Sequence, residues 1–260
     1  LFEYLDVQLF YGVIGIDEPE PFEYFSSIVP IGNSTHLLDN IFQSNGQIHV
    51  YLEATLTNNE KGFFYHMGVW VDLNGDGRKD FLIAKTNAQP GKGQLAWLEN
   101  PEGGLQVSPW SEHVICSGPD VDFDVEKFSE YPDEIVVFAA QFFDQEFGLY
   151  RISTKDGSLI DSRIIDSTTL HAYSVSVADL DSDGKKELVL NNHEKDEKVN
   201  GIWAYSIPVD LMGGDFVKYT LSSGFKNAPS FPVPNTAPGF TYAVWPQISS
   251  QGQGRAYILV

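Results

Sequence analysis

A short acidic loop occurs twice in this chain and constrains its fold more than any other feature. Residues 71–84 read Val-Asp-Leu-Asn-Gly-Asp-Gly-Arg-Lys-Asp-Phe-Leu-Ile-Ala, and residues 178–190 read Ala-Asp-Leu-Asp-Ser-Asp-Gly-Lys-Lys-Glu-Leu-Val-Leu. Both follow Asp-x-(Asp/Asn)-x-Asp-Gly-x-x-(Asp/Glu) between apolar runs. Alternate residues of a tight turn can aim oxygens at one centre. Ca²⁺, a hard cation, takes roughly 6–8 such oxygens. The expected ligands are Asp72, Asn74, Asp76, Asp80 and the carbonyl of Arg78 in the first copy. In the second they are Asp179, Asp181, Asp183, Glu187 and the carbonyl of Lys185. Gly77 and Gly184 stand where the chain must turn sharply. Position 12, where an EF-hand needs glutamate, holds Ile83 and Leu190. The β-branched and aromatic flanks read as strands, so each loop is expected to close a β-hairpin. Without metal, the same segments are acidic, solvated turns.

The spacing of the copies then sets the architecture. Two units of roughly 50 residues separate them, the length of a four-stranded propeller blade. Strands are expected at 64–73, 79–86, 94–99 and 108–116; at 119–128, 133–142, 147–153 and 160–166; and at 172–180, 186–193, 201–207 and 215–222. The middle unit, where Asp122-Phe123-Asp124-Val125 leads into Asp133-Glu134-Ile135-Val136-Val137-Phe138, is read as a degenerate repeat with most of the metal ligands lost. Two further strands are read at 238–246 and 254–260, and segments 3–14 and 22–31 are expected to complete their blade. Such a shared blade closes a ring and removes exposed edges. Residues 34–60 fit the repeat worst, with strand-like runs at 36–43 and 47–57. The expectation is an all-β, single-domain β-propeller over 1–260, with about five four-stranded antiparallel blades, or more if the chain is incomplete.

Composition narrows the partners. The net charge of −20 disfavours nucleic acid and an anionic membrane surface, which both need clustered Lys and Arg. No apolar run is long enough to span a membrane. No leader-like segment is read, and the first residue is Leu1 rather than Met, so the sequence is expected to be processed or incomplete. Cys116 is the only cysteine, which excludes an intrachain disulfide, and it reads as packing. Calcium loops favour an extracellular, secreted protein. The sequon Asn33-Ser34-Thr35 adds little.

The loops and their flanks resemble FG-GAP or VCBS-type repeats of integrin α propellers, fungal propeller lectins and secreted microbial proteins. Ala96-Trp97-Leu98-Glu99-Asn100-Pro101 and Trp110-Ser111-Glu112-His113-Val114-Ile115 are similar to part of a blade in the fungal aldos-2-ulose dehydratase propeller. Asn191-Asn192-His193-Glu194 and Ser223-Gly224-Phe225-Lys226-Asn227 look like the same group. The resemblance covers roughly 62–260 and implies a carbohydrate-active propeller. The fold alone does not set the activity.

In an up-and-down blade the two acidic loops share one face of the ring, so a structural role is expected for both calcium sites. His66 and His171, near starts of first strands, and His193, ending a second strand, belong to the opposite face. His36 is a further candidate there, and Tyr65, Tyr173, Lys85, Gln141 and Glu194 fall in similar places. His, Tyr and a carboxylate together support general acid–base chemistry near neutral pH. The candidate catalytic residues are therefore His66, His171, Tyr65, Tyr173 and His193, for lyase- or dehydratase-type elimination. The alternatives are a non-catalytic glycan- or protein-binding propeller, or a carrier of a small ligand. Phe63, Phe64, Phe142, Phe143 and Trp203 read as core.

Overall fold

The structure is a computed structural model that describes residues 10–12, 24–31, 34–42, 48–57, 62–226, 238–245 and 256–259, with described side chains beginning at Leu56. The chain is all-β. Its strands are β1 (Phe10–Gly12), β2 (Tyr24–Ile31), β3 (Ser34–Phe42), β4 (Ile48–Thr55), β5 (Phe64–Val71), β6 (Asp80–Thr86), β7 (Gln94–Glu99), β8 (Ser111–Ser117) and β9 (Asp122–Glu126). They continue as β10 (Glu134–Gln141), β11 (Glu146–Ser153), β12 (Leu159–Asp166), β13 (Ala172–Ala178), β14 (Glu187–Asn192), β15 (Gly201–Ser206), β16 (Lys218–Ser223), β17 (Tyr242–Val244) and β18 (Tyr257–Leu259). One 3₁₀ turn, Gly104–Gln106, is the only helical element among the described residues. No helix of the described residues is long and apolar enough to cross a membrane.

Four antiparallel sheets are laid down in chain order: β1–β4, β5–β8, β9–β12 and β13–β16, followed by the pair β17–β18. The middle of the chain shows why they pack. From Ile135 to Gln141, β10 is buried without interruption. Successive side chains of a strand point to opposite faces, so a continuous apolar run suits a strand covered on both sides. Ile135, Val137 and Ala139 join Leu82, Ala84, Leu95 and Trp97 of the preceding sheet. Val136, Phe138 and Ala140 join Leu188, Leu190 and Tyr205 of the following one. Phe81, Ile83, Ala96 and Leu98, on the far face of β5–β8, pack with Leu56 and Trp110. Gly68 lets the Phe81 ring lie on the backbone of β5, where a Cβ would meet it at 2.1 Å. The last strands of the sheets, β12 and β16, are largely exposed.

Polar side chains tie the third sheet to the fourth at both edges. On β9, Asp122 and Asp124 accept hydrogen bonds from the backbone N–H groups of Val175 (2.9 Å) and Val177 (2.7 Å) on β13. On β12, Arg163 donates to the carbonyls of Leu211, Met212 and Gly214. Asp166 accepts from Lys218 and from the Tyr205 hydroxyl, both at 2.8 Å. Burial pulls the Asp166 carboxyl upward, but Lys218, Thr168 and Tyr205 prevail and hold it at about 2.

Three expectations are corrected here. Segment 22–31 does not complete the final pair: β2 is hydrogen-bonded to β1 and β3. The runs at 36–43 and 47–57, which fit the repeat worst, are β3 and β4 and complete a regular four-stranded sheet with β1 and β2. Asp122 and Asp124 are not remnants of a metal loop; they lie within β9 and cap the edge of β13.

Two measurements test this packing. Phe138→Ala empties a site shared by two sheets and should destabilise the protein by about 3–5 kcal/mol in denaturant unfolding. Burial raises Asp122 from its ordinary 3.8 to about 8. The folded state therefore holds a proton that the unfolded state releases between those values. This contribution is complete below the unfolded value and is lost as pH rises to the folded one. Asp122→Asn keeps an acceptor for Val175, and should flatten the fall in melting temperature between about pH 5 and pH 8.

Candidate metal loops and a histidine–glutamate site

Both acidic loops join the first two strands of a sheet, as the repeat implies. In the first, Asp72 accepts from Gly75 N (2.8 Å) and Gly77 N (2.9 Å), and Asn74 accepts from Asp76 N (3.1 Å). In the second, Asp179 accepts from Asp183 N (3.1 Å) and Gly184 N (2.9 Å), and Asp181 also accepts from Asp183 N (3.2 Å). Gly77 and Gly184 take φ +83° and +87°, the left-handed region that glycine enters without Cβ strain.

The loops differ in what their acids do next. Asp179, Asp181 and Glu187 bring one oxygen each within 4.8 Å of one another, the one group of this kind among the described residues. Asp183 lies beside them but accepts from Lys185 N (2.8 Å). Burial, followed by repulsion from the three aspartates, raises the Glu187 carboxyl despite the hydrogen bond from Leu180 N. In the first loop Asp76 pairs with the Arg78 side chain and accepts from Arg78 N. Asp80 is fully buried, and its two oxygens accept from Leu73 N and Asn100 N, both at 2.9 Å. Arg78 also donates through Nε to the Asn100 carbonyl. The first loop is thus braced by its own protein contacts, with Asp80 as the tie between the loop and the end of β7.

The opposite end of the β13–β14 hairpin, about 20 Å away at strand rise, carries a second constellation. His193 N donates to the His171 carbonyl (2.9 Å), which brings the two histidines together. His171 Nδ1 lies 2.5 Å from Glu194 Oε1, and the His171 backbone N–H donates to the same oxygen (3.2 Å). His171 Nε2 lies 3.2 Å from Gln145 Nε2. Rings surround the pair. Phe142 is 4.7 Å from His171 between centroids, Tyr173 is 4.4 Å from His193, and Phe240 is 4.8 Å from Tyr173. Buried Asn192 holds the support in place by donating to the carbonyls of Thr169 and Val199, and accepting from Gly201 N. A carboxylate on one imidazole nitrogen leaves the other available as a base.

The other two candidates lie on β5, two sheets earlier. Tyr65 is buried in the core of its sheet, and its hydroxyl donates to Glu112 (3.3 Å). Lys85 pairs with the same carboxylate. Tyr65 therefore sits in a packed ion-pair cluster, and His66 follows it at a β-bulge. The His36 side chain lies outside the described residues. Cys116 is a free thiol pushed up to about 12 by burial, which fits packing and not nucleophilic chemistry. Phe64 is exposed, contrary to its reading as core, because it opens β5 at the sheet end.

Two contributors were missed in the sequence. Gln145 sits in the β10–β11 turn with φ +58°, and Phe142 belongs to the histidine cluster as well as to its own turn. Both reach the site only because the third sheet packs on the fourth. Comparisons with family models and with curated proteins find no match for this chain. Asp80→Ala should leave two buried N–H groups unpaired and cost about 2–4 kcal/mol, read as a lower denaturation midpoint.

Proposed function

We propose that this chain is a secreted, calcium-stabilised β-propeller that carries out elimination on a carbohydrate at the His171 site. The observation that carries the reading is the Glu194-bound imidazole of His171 set among aromatic rings beside His193. His171 removes a proton from a sugar carbon next to a carbonyl. The electrons form a carbon–carbon double bond, and the adjacent C–O bond breaks. Tyr173 or His193 protonates the departing oxygen, which leaves as water or an alcohol. Phe142, Tyr173 and Phe240 supply faces for a sugar ring to pack on. The net charge of −20 favours a neutral sugar over a polyanion. The succession Tyr173–Phe240–Tyr242 favours a second reading, a lectin-like propeller that holds the same glycan without turnover.

The propeller reading rests on the sequential four-stranded sheets, on their face-to-face cores, and on contact of β9 with β13 and of β13 with β17, each the first strand of its sheet. In this reading the chain is one domain, and each acidic loop is an inter-strand turn on the face opposite His171. The second loop fits a cation best, because its acids converge. Asp179, Asp181, Asp183, Glu187 and the Lys185 carbonyl would hold Ca²⁺ there, and Asp72, Asn74, Asp76, Asp80 and the Arg78 carbonyl in the first loop. The metal would screen the clustered carboxylates and brace the hairpin; the reaction does not run through it.

Two experiments separate these parts. Ca²⁺ at about 100 times its Kd should add about 3 kcal/mol of stability, and a chelator should reverse the rise in melting temperature. Glu187→Gln should abolish most of that response; an unchanged melting temperature in saturating Ca²⁺ would remove the metal from the reading. Mass spectrometry of a neutral glycan pool after incubation should show new unsaturated ends. His171→Ala should reduce their formation by about 10²–10⁴-fold, whereas His113→Ala, altered on an exposed outer strand, should not. Intact glycans retained by the wild-type protein would establish the lectin reading instead.

A further inference from the structure

The two partners of His171 demand the same tautomer. An ionised Glu194 can only accept, so Nδ1 of the ring must carry a proton toward it. The Gln145 side-chain nitrogen can only donate, so Nε2 must present its lone pair. An accepting Nε2 by itself leaves the proton to Nδ1, and the Glu194 contact agrees with it, so both contacts fit one Nδ1–H form. Gln145 and the residue before His171 both take uncommon backbone. Gln145 takes φ +58°, and Leu170, directly before His171, takes φ +57°. Leu170 also accepts from Ala172 N at 2.7 Å, closing a tight turn around His171. Non-glycine residues in this region carry strain and persist only where the surroundings over-determine them. Gln145 itself is exposed at the tip of its turn.

We propose that Gln145 is a positioning residue that caps the Nε2 lone pair of His171 until a ligand group replaces it. The replacement must itself donate a hydrogen bond to a ring lone pair. A hydroxyl does so; a carbonyl or an ionised carboxylate, which only accepts, does not. The site therefore selects hydroxyl-bearing ligands and rejects acceptor-only ones at this nitrogen. This deepens the carbohydrate reading and rests on it for the ligand. The cap itself is independent of any turnover.

The test is ¹⁵N NMR of histidine-labelled protein in the pH range where imidazole is ordinarily neutral. His171 should show the Nδ1–H tautomer with an accepting Nε2. Gln145→Ala should move the Nε2 resonance toward an unbonded lone pair and leave the Nδ1 resonance in place. Glu194→Gln should mix the two tautomers, which a purely structural glutamate would not do. Adding glucose, a neutral polyol, should move Nε2 in the wild-type protein, and at lower concentration in Gln145→Ala. An Nε2–H tautomer in the wild type, or an Nε2 resonance unmoved by Gln145→Ala, would overturn the proposal. Weaker glucose binding in Gln145→Ala would overturn it too, by making the amide a ligand contact. A protein that shows the cap but makes no unsaturated product would sink the elimination reading and leave the cap standing.

Discussion

The structure depends on how the edge of one sheet is covered by the side chains of another. A sheet laid down in chain order begins and ends on an edge strand, whose outward N–H and C=O groups need partners when buried. Between the third and fourth sheets, Asp122 and Asp124 supply acceptors to alternate N–H groups of β13. Their spacing of two matches the strand period, so consecutive acceptors meet the edge on one side. The cost is two carboxylates removed from water, which is why burial raises both. Seams of this kind let separate meanders stack without merging into one continuous sheet.

The same stacking assembles the histidine site. Gln145 and Phe142 come from the turn after β10, while His171 and Tyr173 flank the start of β13, and His193 and Glu194 follow β14. A shift of β9–β12 against β13–β16 would leave the His171–Glu194 pair intact, since both partners belong to one hairpin. It would separate that pair from Gln145. Packing of Phe138 and Leu149 with Leu188 and Tyr205 therefore sets where Gln145 stands relative to His171. At the other hairpin end, like charges gather in a loop with no comparable core. That end is where the proposed cation would have the most to stabilise.

The sequence was legible where a pattern is local. The strands of the three middle units lie within a few residues of their expected positions, because alternation and turn glycines are carried by neighbours in the chain. Both acidic hairpins follow for the same reason. His66, Tyr65, His171, Tyr173 and His193 were all expected on one face; pairing within one hairpin brings His171, Tyr173 and His193 together, while Tyr65 and His66 lie on β5. Asp122 and Asp124 were misread because an acidic pair in a strand looks like a broken loop until its partner strand is known. Gln145, with an exposed and unremarkable side chain, left no signal. The N-terminal pairing was missed because β-pairing is a choice among several open edges, and the apolar runs of β2 and β3 do not name their partners.

The amino-acid sequence alone determined the period, the all-β class, the place of the two acidic loops between paired strands and the candidates at the far end of their hairpins. Each is a property of residues a few positions apart, acting through backbone preference and side-chain alternation. Only the tertiary structure decided which face each strand buries, that Asp80 spends its oxygens on backbone N–H groups while Glu187 joins an open acidic cluster, and that His171 lies between Glu194 and Gln145. The reason is physical. Burial and the satisfaction of polar groups are settled by everything that packs around a residue, and those neighbours lie tens of residues away along the chain.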